Sequence, residues 1–453
     1  TTDWNTASNW STGYVPTSDV HVIIPTGATR YPEISNTGAA SKNITINSSA
    51  TLTVNKGYDL TVAGNFTNRG TVTLNSDSNE FSSLIVQGTS SGNITYNRYV
   101  NSLSGGTGWD LIGSPVNGLQ ISSFVSTNDA GSSPLATGNG SGQGASGEYA
   151  IGIYDPSNNS WSNYTSSNVS TTQFTPGKGY QMATDSGATL AFTGTVDTDA
   201  TETISIESFT DASGRRWNLI SNPYPSFITL GPNSTTNTFL EVNDDIIDAT
   251  YVGVYGYDAD NSNGSNYTIY NNTSSSKIAP GQAFFVAARS TNAANITFKE
   301  EMQTTSTGDD FISGDIMENT EVELRIYNNG NAVGNTKLFF DEGLTLGLNP
   351  GWDAGSFSQS DPIMTRLVEE DEGHGMAINA MGLDAMENAV IPLVINQTAG
   401  QEFRINLHTA TIPDPNVYLE DVEEGTFTNL YEGDFVYTPT SDLEGVGRFF
   451  IHM

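Results

Sequence analysis

A chain of 453 residues with 50 acidic and 16 basic side chains carries a formal charge of −34, a field that repels nucleic acid and anionic lipid. It contains no cysteine, which excludes disulfides, thiolate metal sites and thiol nucleophiles and leaves the fold to packing and hydrogen bonds. No run approaches the ~20 apolar residues that span a bilayer, so no membrane span is expected.

The length accommodates three or four domains of ~100–150 residues. Abundant Thr, Ser, Asn and Gly beside Val, Ile, Tyr and Phe predict short strands joined by polar turns, hence an all-β fold. Residues 1–100 open on a Trp- and Asn-rich string, Trp4 to Thr17, without helical periodicity, read as a cap. Short alternating segments then recur: Val20–Ile24, Asn43–Ile46, Thr51–Val54, Asp59–Val62 and Thr71–Leu74. This spacing fits a short N-terminal β-helix-like domain with Asn and Gly at its corners and an apolar stack inside, Phe66 included; a twisted meander is the competing arrangement.

Residues 101–200 and 201–305 read as two homologous β-sandwich-like repeats, because three blocks recur in the same order. Trp109-Asp110-Leu111-Ile112 answers Trp217-Asn218-Leu219-Ile220, Ala150-Ile151-Gly152-Ile153-Tyr154 answers Tyr251-Val252-Gly253-Val254-Tyr255, and Pro176-Gly177-Lys178-Gly179-Tyr180 answers Pro280-Gly281-Gln282-Ala283-Phe284. Each Pro-Gly suits a type II turn, where glycine takes the positive φ at low cost. Trp109 and Trp217 are read as core aromatics rather than sugar platforms. The run Gly142 to Gly147 satisfies G-x-G-x-x-G, but a strand follows it where phosphate binding needs a strand before and a helix after, so it reads as a loop. Residues 306–453 form an acidic C-terminal β-sandwich, with a hairpin at Glu321–Tyr327 and Asn335–Phe340 and further strands at Ala389–Ile395, Phe403–Leu407, Val417–Asp421 and Arg448–Ile451.

Asn9-Trp10-Ser11-Thr12-Gly13 followed by Val15-Pro16-Thr17, the Trp217 to Pro225 block, the Pro280 to Val286 block, Gly351-Trp352-Asp353 and Val417 to Asp421 together resemble the multidomain proteins that Bacteroidetes export by the type IX secretion system. The resemblance implies an extracellular or outer-surface location and carries over no catalytic residue. Such proteins usually finish with a small sorting domain, whereas this chain stops at Met453, about where that domain would begin.

No H-E-x-x-H or paired-His spacing occurs and no catalytic residue is nominated, so a non-enzymatic protein is expected. A two-carboxylate hydrolase needs its acids near only in space. Calcium is the one cofactor considered: Asp258, Asp260 and Asn263 place oxygen ligands at alternate positions before a glycine, although an Asx-rich turn has the same composition. The acidic run Glu369–Glu372 reads as a solvated loop. The expected function is a structural or adhesion protein of the cell surface that forms a homo-oligomer or surface assembly. The alternative is a polysaccharide-binding accessory protein that uses Trp161, Tyr164 and Tyr270.

Overall fold

The structure, a computed structural model, describes residues 1–103, 108–128, 148–169, 172–209, 215–231, 237–257, 267–306, 319–413 and 416–453, with the backbone of 312–315. It is 47% strand and 7% helix, so the fold is all-β. Two compact units divide it: Thr1–Ile246 with Ser276–Gly314, and Ile247–Ser275 with Asp315–Met453.

The first unit begins with a parallel β-helix. Its strands are β1 (Val22–Ile24), β2 (Glu33–Ile34), β3 (Ala39–Ser41), β4 (Ile44–Ile46), β5 (Thr51–Val54), β6 (Asp59–Val62), β7 (Phe66–Asn68), β8 (Thr71–Asn75), β9 (Ser83–Val86), β10 (Ser90–Ser91) and β11 (Asn93–Val100). The chain visits three sheets in turn, β1-β4-β7-β10, β2-β5-β8-β11 and β3-β6-β9. Alternation sends every second side chain inward, so Val22, Ile44 and Phe66 stack in one sheet and Val54, Leu74 and Tyr96 in another, all buried. At the corners, Asn97 Nδ2 donates to Asn75 Oδ1 (2.9 Å), Asn55 Nδ2 to Ser35 Oγ (2.7 Å) and the Asn65 N–H to Asn43 Oδ1 (2.7 Å). These bonds occupy polar groups that the turns would otherwise leave unpaired. The tryptophan string closes the first coil: Trp4 is fully buried, Trp10 meets it edge-on at 4.7 Å, and the Trp4 N–H donates to Glu33 O (2.9 Å).

β11 continues into the duplicated part by pairing antiparallel with Ala188–Thr195, and one hydrophobic core runs from Trp4 through Phe192 and Val196. Within each copy the first and third blocks pair in the same register. Asp110, Leu111 and Ile112 face Met182, Gln181 and Tyr180, while Asn218, Leu219 and Ile220 face Val286, Phe285 and Phe284. Gly177 and Gly281 have φ of +71° and +65°, as the Pro-Gly turns require. Trp109 and Trp217 are half-buried rather than central: Trp109 immediately precedes the strand Asp110–Ile112 and Trp217 is the first residue of the strand Trp217–Ser221.

Each copy also holds a short helix that the sequence reading did not anticipate. In Ile121–Asn128, Asn128 Nδ2 donates to Phe124 O (2.9 Å) and Ala191 O (3.2 Å), and its Oδ1 accepts from the Ala191 N–H (2.8 Å). In Phe239–Asn243, Asn243 bonds Phe239 O (2.8 Å), Thr297 O (3.0 Å) and the Thr297 N–H (2.8 Å) in the same way. Phe124 packs on Phe192 (4.6 Å) as Phe239 packs on Phe298 (5.4 Å).

The two copies grip each other reciprocally. Ile112 bridges Gln282 while Ile220 bridges Lys178; the Gly113 N–H donates to Gly281 O (2.8 Å) while the Ser221 N–H donates to Gly177 O (2.8 Å). The approach is close enough that a Cβ at Gly113 would lie 1.9 Å from Ser221 Oγ.

The second unit is built on one long sheet. Its strands follow the order Thr426–Asn429, Tyr418–Asp421, Phe449–His452, Val390–Ile395, Ile363–Thr365, Met376–Gly382, Asn331–Asp341, Thr320–Asn328, Phe403–Ala410 and Phe435–Tyr437, with Ala354–Gly355 beside Met376–Gly382. The sheet curls over a single core, since Phe435 at one end packs on Phe449 near the other at 5.8 Å. Inward residues such as Val322, Leu324, Ile326, Leu338 and Ile405 are buried. A hairpin, Val254–Tyr257 with Tyr267–Tyr270, covers part of the opposite face: Ile269 packs with Phe339, Ile378 and Ala380, and the Tyr255 hydroxyl donates to Gly355 O (2.7 Å). Nearby Asp353 is fully buried and accepts from the N–H groups of Ala380 (2.6 Å) and Asn349 (2.5 Å); burial pushes its carboxyl up to about 7.

Candidate functional site

The strand Thr320–Asn328 alternates apolar and polar residues, so Val322, Leu324 and Ile326 enter the core while Glu321, Glu323, Arg325 and Tyr327 share the other face. Register sets Glu323 opposite Lys337 and Arg325 opposite Asn335. These side chains line a cavity of about 450 Å³ in the second unit, whose walls include Tyr267 and Tyr270 from the hairpin, Phe357, and Asp361.

The floor is a set of paired charges. Arg325 Nε donates to Glu323 Oε1 (2.6 Å), Asn335 Nδ2 approaches the same oxygen (3.5 Å), and Lys337 Nζ stands 3.9 Å from Glu321 Oε1. Asn319 joins floor to wall by donating to Thr273 O (2.9 Å) and Glu321 Oε2 (3.4 Å). Asp361 accepts from the Ser356 hydroxyl, and burial pushes its carboxyl above the usual carboxylate range. The aromatic wall is ordered as well: Tyr267 and Phe357 stack at 4.0 Å with 14° between planes, Tyr257 meets Tyr267 at 5.5 Å, and Tyr255 meets Phe357 at 6.1 Å. Flat aromatic faces beside fixed carboxylate, amide, guanidinium and ammonium groups suit a ligand with apolar ring faces and equatorial hydroxyls.

The nominated residues divide. Tyr270 lines this cavity. Trp161 is 39% exposed on the strand Ser160–Thr165 of the first unit, with Tyr154 at 5.3 Å and Phe285 at 6.3 Å. Tyr164 lies three positions along, hence on the other side of that strand, and packs against the core; burial pushes its hydroxyl up to about 12. Trp161 and Tyr164 therefore do not share one face of their strand. Asp258, Asp260 and Asn263 lie outside the described residues, as does the Gly142 to Gly147 run. In the acidic run, Arg366 grips Asp371 through Nε (3.0 Å) and one terminal nitrogen (2.9 Å), while Glu369, Glu370 and Glu372 are exposed. Glu321, Glu323, Arg325, Lys337, Tyr267 and Phe357 belong to no motif that singles them out in the chain. The polar side of the Glu321–Tyr327 alternation was the available signal.

Fold and cavity define a class of cysteine-free all-β proteins that join a capped β-helix and a duplicated module to a curled sheet with a polar, aromatic-walled cleft. Among the described residues no helix is long and apolar enough to cross a membrane. The chain belongs to the family described as a domain of unknown function, DUF8693, whose model matches residues 1–453. Neither a curated protein nor a solved structure matches it.

Proposed function

We propose that the chain is a non-enzymatic adhesion protein, exported by the type IX route to the cell surface, whose recognition site is the cleft of the second unit and whose ligand is a polysaccharide segment. The observation that carries the reading is the Tyr267–Phe357 stack standing in one cavity with Glu323, Arg325 and Lys337. Sugar rings present C–H faces to aromatic planes and hydroxyl pairs to planar carboxylate and guanidinium groups. Glu321 and Glu323 each face a cation, and Asp361 is engaged by Ser356, an arrangement that fixes acceptors for hydroxyls.

Calorimetric titration of the full chain with a panel of neutral and acidic oligosaccharides tests this. Binding should weaken about fivefold in Phe357→Ala, since one aromatic platform contributes roughly 1 kcal/mol and 1.4 kcal/mol is a factor of ten. No binding across the panel, or full affinity in Phe357→Ala, would remove the cleft from the proposal; release of new reducing ends would make the protein a hydrolase instead.

Self-association has its own support. The edge strand Thr426–Asn429 carries Phe427 at 59% exposure, with Tyr431 at 64% just beyond it, and an open apolar edge is a template for strand pairing. Light scattering after size exclusion should give a mass above the monomer that falls in Phe427→Lys.

A further inference from the structure

The cleft uses only the second unit, and the first unit holds an acidic site of its own. Residues 196–200 join the strand Ala188–Thr195, which ends the first copy, to Thr201–Ile206, which opens the second. Antiparallel pairing sets Thr201 against Lys299 and Glu202 against Phe298, and the Glu300 N–H donates to Ala200 O (3.2 Å). Asp197, Asp199 and Glu202 are thereby brought toward Glu300 and Glu301.

Asp197 is the centre of this group. It is 4% exposed, its Oδ1 accepts from the Asp199 N–H (2.9 Å), and its Oδ2 is buried without a hydrogen-bond partner. The Glu202 carboxyl lies within hydrogen-bonding reach of Asp197; burial pushes Glu202 above the usual carboxylate range, and the charges of Asp197 and Asp199 push it further. The same field reaches the fully buried Tyr224, whose hydroxyl donates to Phe298 O (3.3 Å): burial raises it, and Asp197, Glu202, Glu300 and Glu301 raise it further. Among the described residues no Lys, Arg or His forms an ion pair with any of the five acids, and the ammonium of Lys299 donates to Asn237 Oδ1 instead (2.8 Å).

A buried carboxylate oxygen without a donor, set against a second carboxylate, is costly unless positive charge joins them. A proton neutralises one of the two charges. A divalent cation neutralises both and is attracted by the acids around the pair. Every donor is an oxygen, which suits a hard cation. Among the described residues no group of three or more acidic or histidine side chains is placed to hold a metal, so the pair would act with water completing the ion's shell. Calcium suits this better than magnesium, because it accepts irregular geometry and gives up water readily enough to meet a buried oxygen.

We propose that Asp197 and Glu202 bind a calcium ion, which fastens the connector between the two copies. The ion turns repulsion between the carboxylates into attraction to both, and Glu202, half-exposed, rotates to admit it. The site is independent of the cleft and of its sugar.

The test treats the full chain with EDTA, then adds calcium chloride and follows calorimetric heat and unfolding temperature. Wild type should bind with a Kd on the order of 0.1–1 mM, the weak end of the calcium range, and unfold at a higher temperature when loaded. Asp197→Asn and Glu202→Gln should each weaken binding by about tenfold or more. Without calcium both variants should unfold at or above the wild-type temperature, because an amide removes the repulsion that the ion relieves. Glu202→Gln, at a half-exposed position, decides the matter should Asp197→Asn fail to fold. Asp258→Asn, in the sequence pattern first considered for calcium, should leave the response intact. Absence of heat and shift in wild type, equal stabilisation by magnesium chloride, a full response in Glu202→Gln, or loss of the response in Asp258→Asn each overturns the proposal. A wild type stabilised by acid and indifferent to calcium overturns it too, since the pair would then share a proton.

Discussion

The β-helix of the first unit and the curled sheet of the second are made from strands of similar composition, yet they handle their outward faces in opposite ways. The β-helix repeats one register, so identical residue types fall into rows: threonine beside threonine, asparagine beside asparagine. The curled sheet repeats nothing, and its outer face sets unlike residues opposite one another, Glu323 against Lys337 and Tyr327 against Arg404. Regular stacking produces a lattice, whereas irregular pairing produces a cleft with a particular charge pattern. What differs is periodicity rather than residue content.

The largest way to break the contrast is to remove one member of the interior stack. Phe66 is fully buried between coils, and Phe66→Ala should cost ~3–5 kcal/mol, read as a shifted urea midpoint. A shift below about 1 kcal/mol would mean that the coils do not depend on the stack.

The second test concerns the curled sheet and depends on pH. Folding raises the Asp353 carboxyl from its ordinary value of 3.8 to about 7. Below 3.8 the group is protonated in both states. Between 3.8 and 7 the unfolded chain releases the proton while the folded chain retains it, so this group's contribution to stability falls as pH rises and is level above 7. Asp353→Asn has no such titration. The stability of wild type relative to the variant should therefore decline by on the order of 4 kcal/mol between pH 4 and pH 7.5. A difference that is flat with pH would show that the buried carboxyl is relaxed by water or by a movement of the loop.

The smallest test sharpens the likeness inside the duplicated module. Asn128 and Asn243 make the same three hydrogen bonds, so Asn128→Ala and Asn243→Ala should each cost ~1–3 kcal/mol and by similar amounts. Strongly unequal losses would show that one copy has taken over the support of the other.

Much of this was legible from residue order. Strand spacing in residues 1–100 pointed to the β-helix, because each short strand carries its own alternation and its own turn residues. The Pro-Gly blocks predicted two positive φ angles and marked the duplication. The helices escaped because Ile121 to Asn128 and Phe239 to Asn243 are too short for a periodic signal, and their asparagines bond to strands 54 or more residues away. The cleft escaped for a related reason: Tyr267, Glu323 and Phe357 come from three separate segments, and only the fold brings them to one cavity. Tyr270, nominated as a loop aromatic, is a half-buried residue of the strand Tyr267–Tyr270 that lines the cavity.

The reciprocal grip between Gly113 and Gly281, and between Ser221 and Gly177, has a concentration dimension. Two separate copies making this contact would have to meet by diffusion and would part on dilution. Joined by one chain, they see each other at the effective molarity set by the connection, commonly millimolar for short links. Contacts too weak to hold two molecules together at cellular concentration are then sufficient to hold one molecule closed. The same fusion frees each copy to change alone, and the glycine at position 113 facing a serine at 221 is a difference that two identical subunits could not have kept.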